Sequence, residues 1–551
     1  MSTQTLNTAQ QNSTGKWIPL LILLAAQFAT MADNSGLMVS TDALIALHGA
    51  SMPDIQMANA MYPLIAGAGM VAGGLIGLII GWRIQMVLGA GLLAVASFTS
   101  AFAPNMDVLN YGGRVLAGLG ACLLVPAVLA NVAGIYKGKD QAIAFAAIAA
   151  LVGLASAVTP ILFGFILDNA SFSSAFAGLG VYCMLVSVAS FKLPTLDLAA
   201  FKGKFDFVGV ALAGGGLLLL VTGLLKISEW GLIAPLTDTA VMGLSPALPM
   251  VALGLIVLKL LMSWEGKFEQ GGNTPLLPKS YAQNPQVVLG LILCGAVFLM
   301  FGATGFINVS YMQLVAGMSA LSSGLALCAF AFGMLLGSLG APAKLSHLSC
   351  RMICQLGFGI AIAGTAMMFL GFTAEGITVW QYVSLLTFGI GAGLVASQAS
   401  IVVTSALSDR EAQQSGGIQA TSRNVGQAIG VAILGSIMLF SLTGNIHSAV
   451  EEHKDLSAES KQLILSIPSL PFVSNAMALD MMTDVIVEEE QQMVVQIMAE
   501  SRLSAAQNAL IGLIVLMGAF LLACSKLPAV SLMGNKDESP AAEADKALKS
   551  S

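Results

Sequence analysis

Three residues carry charge where the surrounding chain carries almost none. Asp33 stands in FATMADNSGLMVS, Arg114 in NYGGRVLAGLGACLLVPAVLAN and Arg423 in GGIQATSRNVGQAIGVAILG. An ionisable group inside a bilayer is costly and marks a transport path, a proton relay or a ligand counter-ion by default. A carboxyl group suits proton carriage, because burial raises its pKa and an approaching cation lowers it again. Asp33 is of that type, and Asn34 and Ser35 follow it to share its hydrogen bonds. Arg114 cannot be neutralised, so it needs a partner or a water-filled cavity. If it shares a cavity with Asp33, the two are proton-coupling candidates. If it meets helix-end carbonyls near a membrane surface, it is structural. Arg423 is expected to begin a helix, either snorkelling to the membrane end or lining a path with Asn424 and Gln427 on the same face. Asn308, Gln313 and Gln398 also stand in apolar runs, where they line a polar cavity or hydrogen-bond between helices.

Other chemistries find no support. His48, His347, His447 and His453 are scattered in expected loops. The seven cysteines fall in or beside apolar runs without metal-ligand spacing and read as small buried hydrophobes. Catalytic residues, a metal and a cofactor are therefore not expected, nor is an enzyme. No basic cluster exceeds three residues, so nucleic acid is not an expected partner.

The elements that must position these side chains are membrane helices. Of 551 residues 56% are hydrophobic and 9% charged, against about 25% charged in soluble domains. Apolar runs of this length favour helices, whose backbone groups are satisfied internally. The run 57–103 is too long for one crossing, at ~70 Å for ~1.5 Å per residue against a ~30 Å hydrocarbon core. Gly81 and Arg83 are the breakers near its middle, so a hairpin is expected there. The same reasoning gives an all-α polytopic protein with fourteen spans, near 17–39, 57–80, 84–103, 109–133, 142–167, 173–193, 206–227, 243–263, 286–308, 320–342, 351–372, 379–405, 419–442 and 505–526.

Lysine and arginine concentrate on alternate turns: Arg83; Lys137 and Lys139; Lys192, Lys202 and Lys204; Lys267 and Lys279; Lys344 and Arg351; Arg410. The intervening turns hold Asp42 and Asp54, Asp107, Asp168, Glu229 and Asp238, and Glu375. The positive-inside rule then places both termini in the cytoplasm of a multi-pass inner-membrane protein. Residues 443–504 hold ten acidic residues against Lys454, Lys461 and Arg502, and are expected to form a helical cap on the outer side, running straight into the last span. The expected organisation is a tail at 1–16, a six-helix bundle at 17–193, a linker with two extra spans at 194–285, a second six-helix bundle at 286–526, and a tail at 527–551.

At this point the sequence resembles the 14-span drug:proton antiporter branch of the major facilitator superfamily, as a divergent member. RVLAGLGACLLVPA from Arg114 resembles that branch's helix-4 motif, with Gly118, Gly120 and Pro126. KFDFVGVALAGGGLLLLVTGL with EWG resembles the start of its extra helix pair; YMQLVAGMSALSSGL resembles the helix 9–10 junction; QQSGGIQATSRNVGQAIGVAILGS resembles the approach to helix 13. The resemblance implies two six-helix bundles with helices 7 and 8 inserted between them, rocking about a central cavity. It implies proton-coupled export of small molecules, most readily toxic or drug-like compounds, with Asp33 and Arg114 as the coupling residues. Export of a specific metabolite such as a siderophore is the alternative. The expected partners are a small-molecule substrate, protons and the lipid bilayer; in a two-membrane organism the reading leaves room for a periplasmic adaptor and an outer-membrane channel.

Departures from the branch pattern are concentrated in two places. TPILFG stands for the helix-5 antiporter signature, keeping Pro160 and Gly164 to bend and pack that helix. In the helix 2–3 turn the expected Asp is Leu78, its neighbouring Arg is Ile79, and only Arg83 survives of the charged set. The inner gate is thus expected to close without its usual carboxylate.

Overall fold

The computed structural model describes residues 17–196, 206–233, 235, 244–273, 275–345, 347–373, 376, 378–407, 409–467, 470–482, 485–527 and 529. The expected tail at 1–16, that at 527–551 apart from 527 and 529, Lys202, Lys204, Asp238 and Glu375 lie outside the described residues, as does the Arg410 side chain.

Long helices dominate. They are α1 (Ile18–Met38), α2 (Met52–Ile80), α3 (Trp82–Ala101), α4 (Val108–Ile135), α5 (Gly138–Asn169), α6 (Phe172–Ser190), α7 (Phe207–Leu225), α8 (Ala247–Gln270), α9 (Pro285–Ser310), α10 (Ala320–Lys344), α11 (Cys350–Gly371), α12 (Val379–Thr404), α13 (Asp409–Glu452) and α14 (Glu488–Ala523). Thirteen are long and apolar enough to cross a membrane, and α5, apolar over Leu154–Asn169, completes the expected fourteen.

Hydropathy located the crossings but not the helix ends. α2 begins five residues before the expected 57, because Ser51 and Asp54 form a capping box that satisfies its first amides. α13 extends well beyond the expected 419–442 on both sides, so Arg423 lies inside this helix rather than at its start. Hydrogen bonding carries a helix on into water after its apolar stretch has ended. The acidic segment follows the same logic. It is helical, and α14 runs uninterrupted from Glu488 into the last crossing. The expected hairpin between α2 and α3 is a single residue, Gly81, at φ 92°, where a side chain would be strained.

Helices α1–α6 pack into one bundle and α9–α14 into a second. Two seams join them: α2 against α13, and α5 against α10. The inserted helices α7 and α8 pair with each other, and α7 leans on α2 and α13, where Ser436 donates to the Leu224 carbonyl at 2.9 Å. Small residues line the tightest contacts. A methyl group on Gly254 would sit 2.6 Å from the Leu220 amide, and one on Gly391 2.4 Å from the Ala361 amide.

Candidate functional site

In α1, burial is continuous from Ala32 to Met38. Asp33 is fully buried there, and so is Arg114 of α4. The guanidinium Nη1 donates to Asp33 Oδ2 at 2.7 Å. Its Nε donates to the Ala58 carbonyl of α2 at 3.2 Å, and its carbon lies 5.2 Å from the centre of the Tyr62 ring. Tyr62 donates to the Thr30 carbonyl at 3.2 Å, which returns the network to α1. One pair thus ties three helices together. Asp33 Oδ1 and Arg114 Nη2 have no protein partner, so each ion keeps one unused position. A buried ion pair is costly to assemble and far costlier to split, since splitting leaves a naked charge.

Arg114 closes a π turn, Val108–Arg114, at the head of α4. A second π turn, Tyr311–Val315, extends α9 and carries Gln313. Such turns re-aim side chains within a helix and gather at functional sites. Gln313 reaches the other bundle, donating to the Val39 carbonyl at 2.8 Å and accepting from the Asp42 amide at 3.0 Å. Gln427 of α13 donates to Asn34 at 3.3 Å across the same divide. Asn424 packs against Gly67 of α2, where a methyl group would lie 3.1 Å from its Cβ. Asn308 follows the helix-bridging reading: it accepts from Gln381 of α12 at 2.7 Å and donates to Thr304 in its own helix. Gln398 is buried in α12 with Ser397 as one partner, also inside the second bundle. Arg423 points away from Asn424 and Gln427, donating to Ser400 of α12 at 2.9 Å and lying over Phe298 of α9.

Pro160 and Gly164 form the α5–α10 seam. A methyl group on Gly324 would stand 2.4 Å from the Pro160 carbonyl oxygen, and one on Gly164 2.6 Å from Leu321 Cα. Leu78 is half-buried near the other end of α2, and Arg83 is likewise half-exposed two residues past Gly81. Three polar side chains escaped the sequence reading. Gln56 crosses the α2–α13 seam, donating to the Val431 and Ala432 carbonyls at 3.0 and 2.8 Å. Asp168 crosses the other seam, accepting from the Ala320 and Leu321 amides at 3.1 Å each. Gln85 pins α3 to the carbonyls of Gly73 and Leu123. Gln56 fell just outside the expected span, and Asp168 had registered only as one charge on an acidic turn.

Between the bundles lies a narrow cleft lined by Ser35, Met38, Ser156, Pro160, Phe301, Thr304, Gly305, Leu327 and Phe330, with about 20 Å³ of free space. That is room for little more than one water molecule. The inter-bundle contacts described above lie on one side of the Arg423 level, toward the end of the molecule holding Asp42, Asp54 and Asp168. Toward the end holding Arg83, no hydrogen bond crosses the divide among the described residues, and a methyl group on Gly74 or Gly81 would meet nothing within 4 Å. The cross-bundle hydrogen bonds of the described residues thus gather toward the acidic end.

Comparison with known proteins sets this architecture in context. The sequence model of the Major Facilitator Superfamily matches residues 23–431. The "Probable actinorhodin transporter" of Streptomyces coelicolor is 26% identical over 78% of this chain and 73% of its own. The "Riboflavin transporter RibZ" of Clostridioides difficile is 24% identical over 78% and 90%. The "Methyl viologen resistance protein SmvA" of Salmonella typhimurium is 22% identical over 78% and 84%. Among solved structures, a bacterial homologue of the human lysosomal transporter Spinster, inward-facing and unoccupied, superposes with a TM-score of 0.64 at 13% identity, covering 94% of this chain and 98% of that one. At that identity the likeness speaks for the fold alone.

Proposed function

The chain belongs to the major facilitator superfamily and is a membrane transporter rather than an enzyme, and from that premise we propose that it is a proton-coupled exporter of toxic or drug-like small molecules. The observation that carries this reading is the buried Asp33–Arg114 pair with its two unused positions. The relatives named for antibiotic export and drug resistance support the substrate class at a distance.

In the mechanism, residues 17–193 and 286–526 are the two halves that rock against each other. In this reading the basic end faces the cytoplasm, and the state whose acidic end is stitched shut is the inward-facing one. Asp33 is ionised while Arg114 holds it. A proton arriving at the free oxygen Oδ1 removes that charge and releases the guanidinium, which cannot stay buried without a counter-ion. Arg114 also touches Ala58 and Tyr62 on α2. The same helix carries Gln56 on the seam to α13. Protonation is therefore coupled through α2 to the contacts that keep the acidic end closed. Substrate and proton occupy the protein in turn, and the proton gradient drives export.

The test is pH-driven flux of a fluorescent dye panel in proteoliposomes, with wild type beside Asp33→Asn. The wild type exchanges dye for protons and the Asn variant does not. An Asn variant that keeps pH-driven flux would remove Asp33 from the coupling role. In a deletion strain, sensitivity to the toxic panel is expected; indifference to every compound together with failed secretion of a chelator would favour metabolite export instead.

A further inference from the structure

A second cation in the transport region, half-buried, has no counter-ion among the described residues. Arg423 lies ~12 Å along α13 from Ser415, where the apolar stretch begins, at ~1.5 Å per residue. Its guanidinium donates to Ser400 at 2.9 Å and sits 5.8 Å from the centre of the Phe298 ring. Among the described residues no carboxylate pairs with it, whereas the Asp33 and Arg114 charges cancel. An arginine at this depth, held by a hydroxyl and an aromatic face, retains donors for an incoming acceptor.

What adjoins it is aromatic. Phe298 lies 6.3 Å from Phe301, and Phe301 lies 5.8 Å from Phe330; both Phe301 and Phe330 line the cleft between the bundles. At the far end of this strip Thr304 is buried, faces the cleft and has an unpartnered hydroxyl. Phe298 and Thr304 are ~9 Å apart along α9 at ~1.5 Å per residue, the length of a fused ring system. Arg423 stands about one turn on the basic side of the Gln427–Asn34 contact between the bundles.

We propose that Arg423, Ser400 and Phe298 form a recognition site for the acidic group of a planar aromatic compound, so that the preferred cargo is an aromatic acid or phenolate rather than a cation. The carboxylate or phenolate oxygen accepts from Arg423, the rings lie along Phe298 and Phe301, and a polar group on the distal ring meets Thr304. This rests on the exporter reading of the same interface and names its substrate class.

The test is equilibrium binding to the purified full-length chain in detergent, with three fluorescent probes sharing one ring system: anthracene carboxylate, anthracene methanol and anthracene methylammonium. No gradient is applied, so a failure of proton coupling leaves the result intact, and a failure here leaves coupling untouched. The carboxylate is expected to bind at least about tenfold more tightly than the alcohol, as a charge-assisted hydrogen bond at a partly buried site would give. The ammonium is expected to bind most weakly. Arg423→Gln should bring the carboxylate down to the alcohol's affinity and leave the alcohol unchanged; Arg423→Lys should retain part of the preference. Phe298→Leu should weaken all three alike. A wild type that binds the carboxylate no better than the alcohol, or binds none of the three, overturns the proposal. So does an Arg423→Gln variant that weakens carboxylate and alcohol equally. If that variant misfolds, the wild-type ranking decides alone.

Discussion

The two ends of the divide between the bundles are built from the same helices and solve opposite problems. At the acidic end α5 and α10 meet backbone to backbone through Pro160, Gly164 and Gly324, and the Asp168 carboxylate caps the first amides of α10. Gln313 and Gln56 add polar stitches on either side. At the basic end the turn between α2 and α3 holds Leu78, Ile79 and Arg83, and no hydrogen bond reaches across to the other bundle among the described residues. The difference teaches where the conformational preference comes from. A carboxylate on a helix N-terminus satisfies orphan amides and opposes the positive end of the helix dipole. Here that device sits at the end opposite to the one where the family resemblance led us to expect it.

The sharpest way to break the contrast is steric. Gly324→Leu would drive a side chain into the Pro160 carbonyl and should prop the acidic end open, at a cost to the closed state of about 1–3 kcal/mol or more. Spin labels on α5 and α10 should report a longer distance at that end. The matched control, Gly74→Ala at the basic end, should change nothing, because the added methyl meets open space. If both glycines tolerate substitution equally, the acidic end is not the packed gate.

Next in size is the cross-bundle cap. Asp168→Ala leaves the Ala320 and Leu321 amides without their acceptor and should weaken closure by roughly 1–3 kcal/mol. Asp168→Asn keeps an acceptor and should lose less. The measurement is accessibility labelling of a cysteine placed at Ser156, read with a reagent added from the acidic side; labelling unchanged in the Ala variant would deny Asp168 its role.

Restoring the expected carboxylate at the other end is a smaller perturbation. Leu78→Asp should shift the population toward closure at the basic end by about 0.3–1 kcal/mol, the usual worth of a charge at a helix terminus. An unchanged inward/outward distribution would mean that this turn has no part in gating.

The smallest effect expected is that of pH on the acidic end. Asp42 retains solvent contact, yet the chain packed around it and then the neighbouring Asp168 charge push its carboxyl above the ordinary value of 3.8. A raised pKa in the closed state means that closure binds the proton. Its contribution is therefore fully present below the ordinary value and is lost as pH rises through the raised one. Label distances at that end should lengthen slightly over that window, and Asp42→Asn should flatten the response.

Much of this was legible in the chain itself. Fourteen crossings, the Gly81 hairpin, the segregation of charge and the pairing candidates Asp33 and Arg114 all follow from hydropathy and from the cost of burying ions. What the sequence reading missed has a common physical form. Gln56 and Asp168 act on backbone groups of the other bundle, far away in sequence, and such contacts leave no periodic signal. The π turn that aims Arg114 adds one residue to a turn of helix without changing its composition. Arg423 was placed at a helix start because apolar patterning ends there, although the helix does not.

Sequence by itself therefore determined that this is a multi-span helical membrane protein, and that Asp33 and Arg114 stand charged within apolar segments, because bilayer solvation acts on each segment independently. Tertiary structure alone decided that Asp33 and Arg114 meet directly, that Arg423 stands beside an aromatic strip with no counter-ion among the described residues, and that the cross-bundle stitches of those residues gather at the acidic end. Those outcomes depend on which helices are neighbours and on their rotation about their own axes, and both are fixed by packing among segments rather than by any one of them.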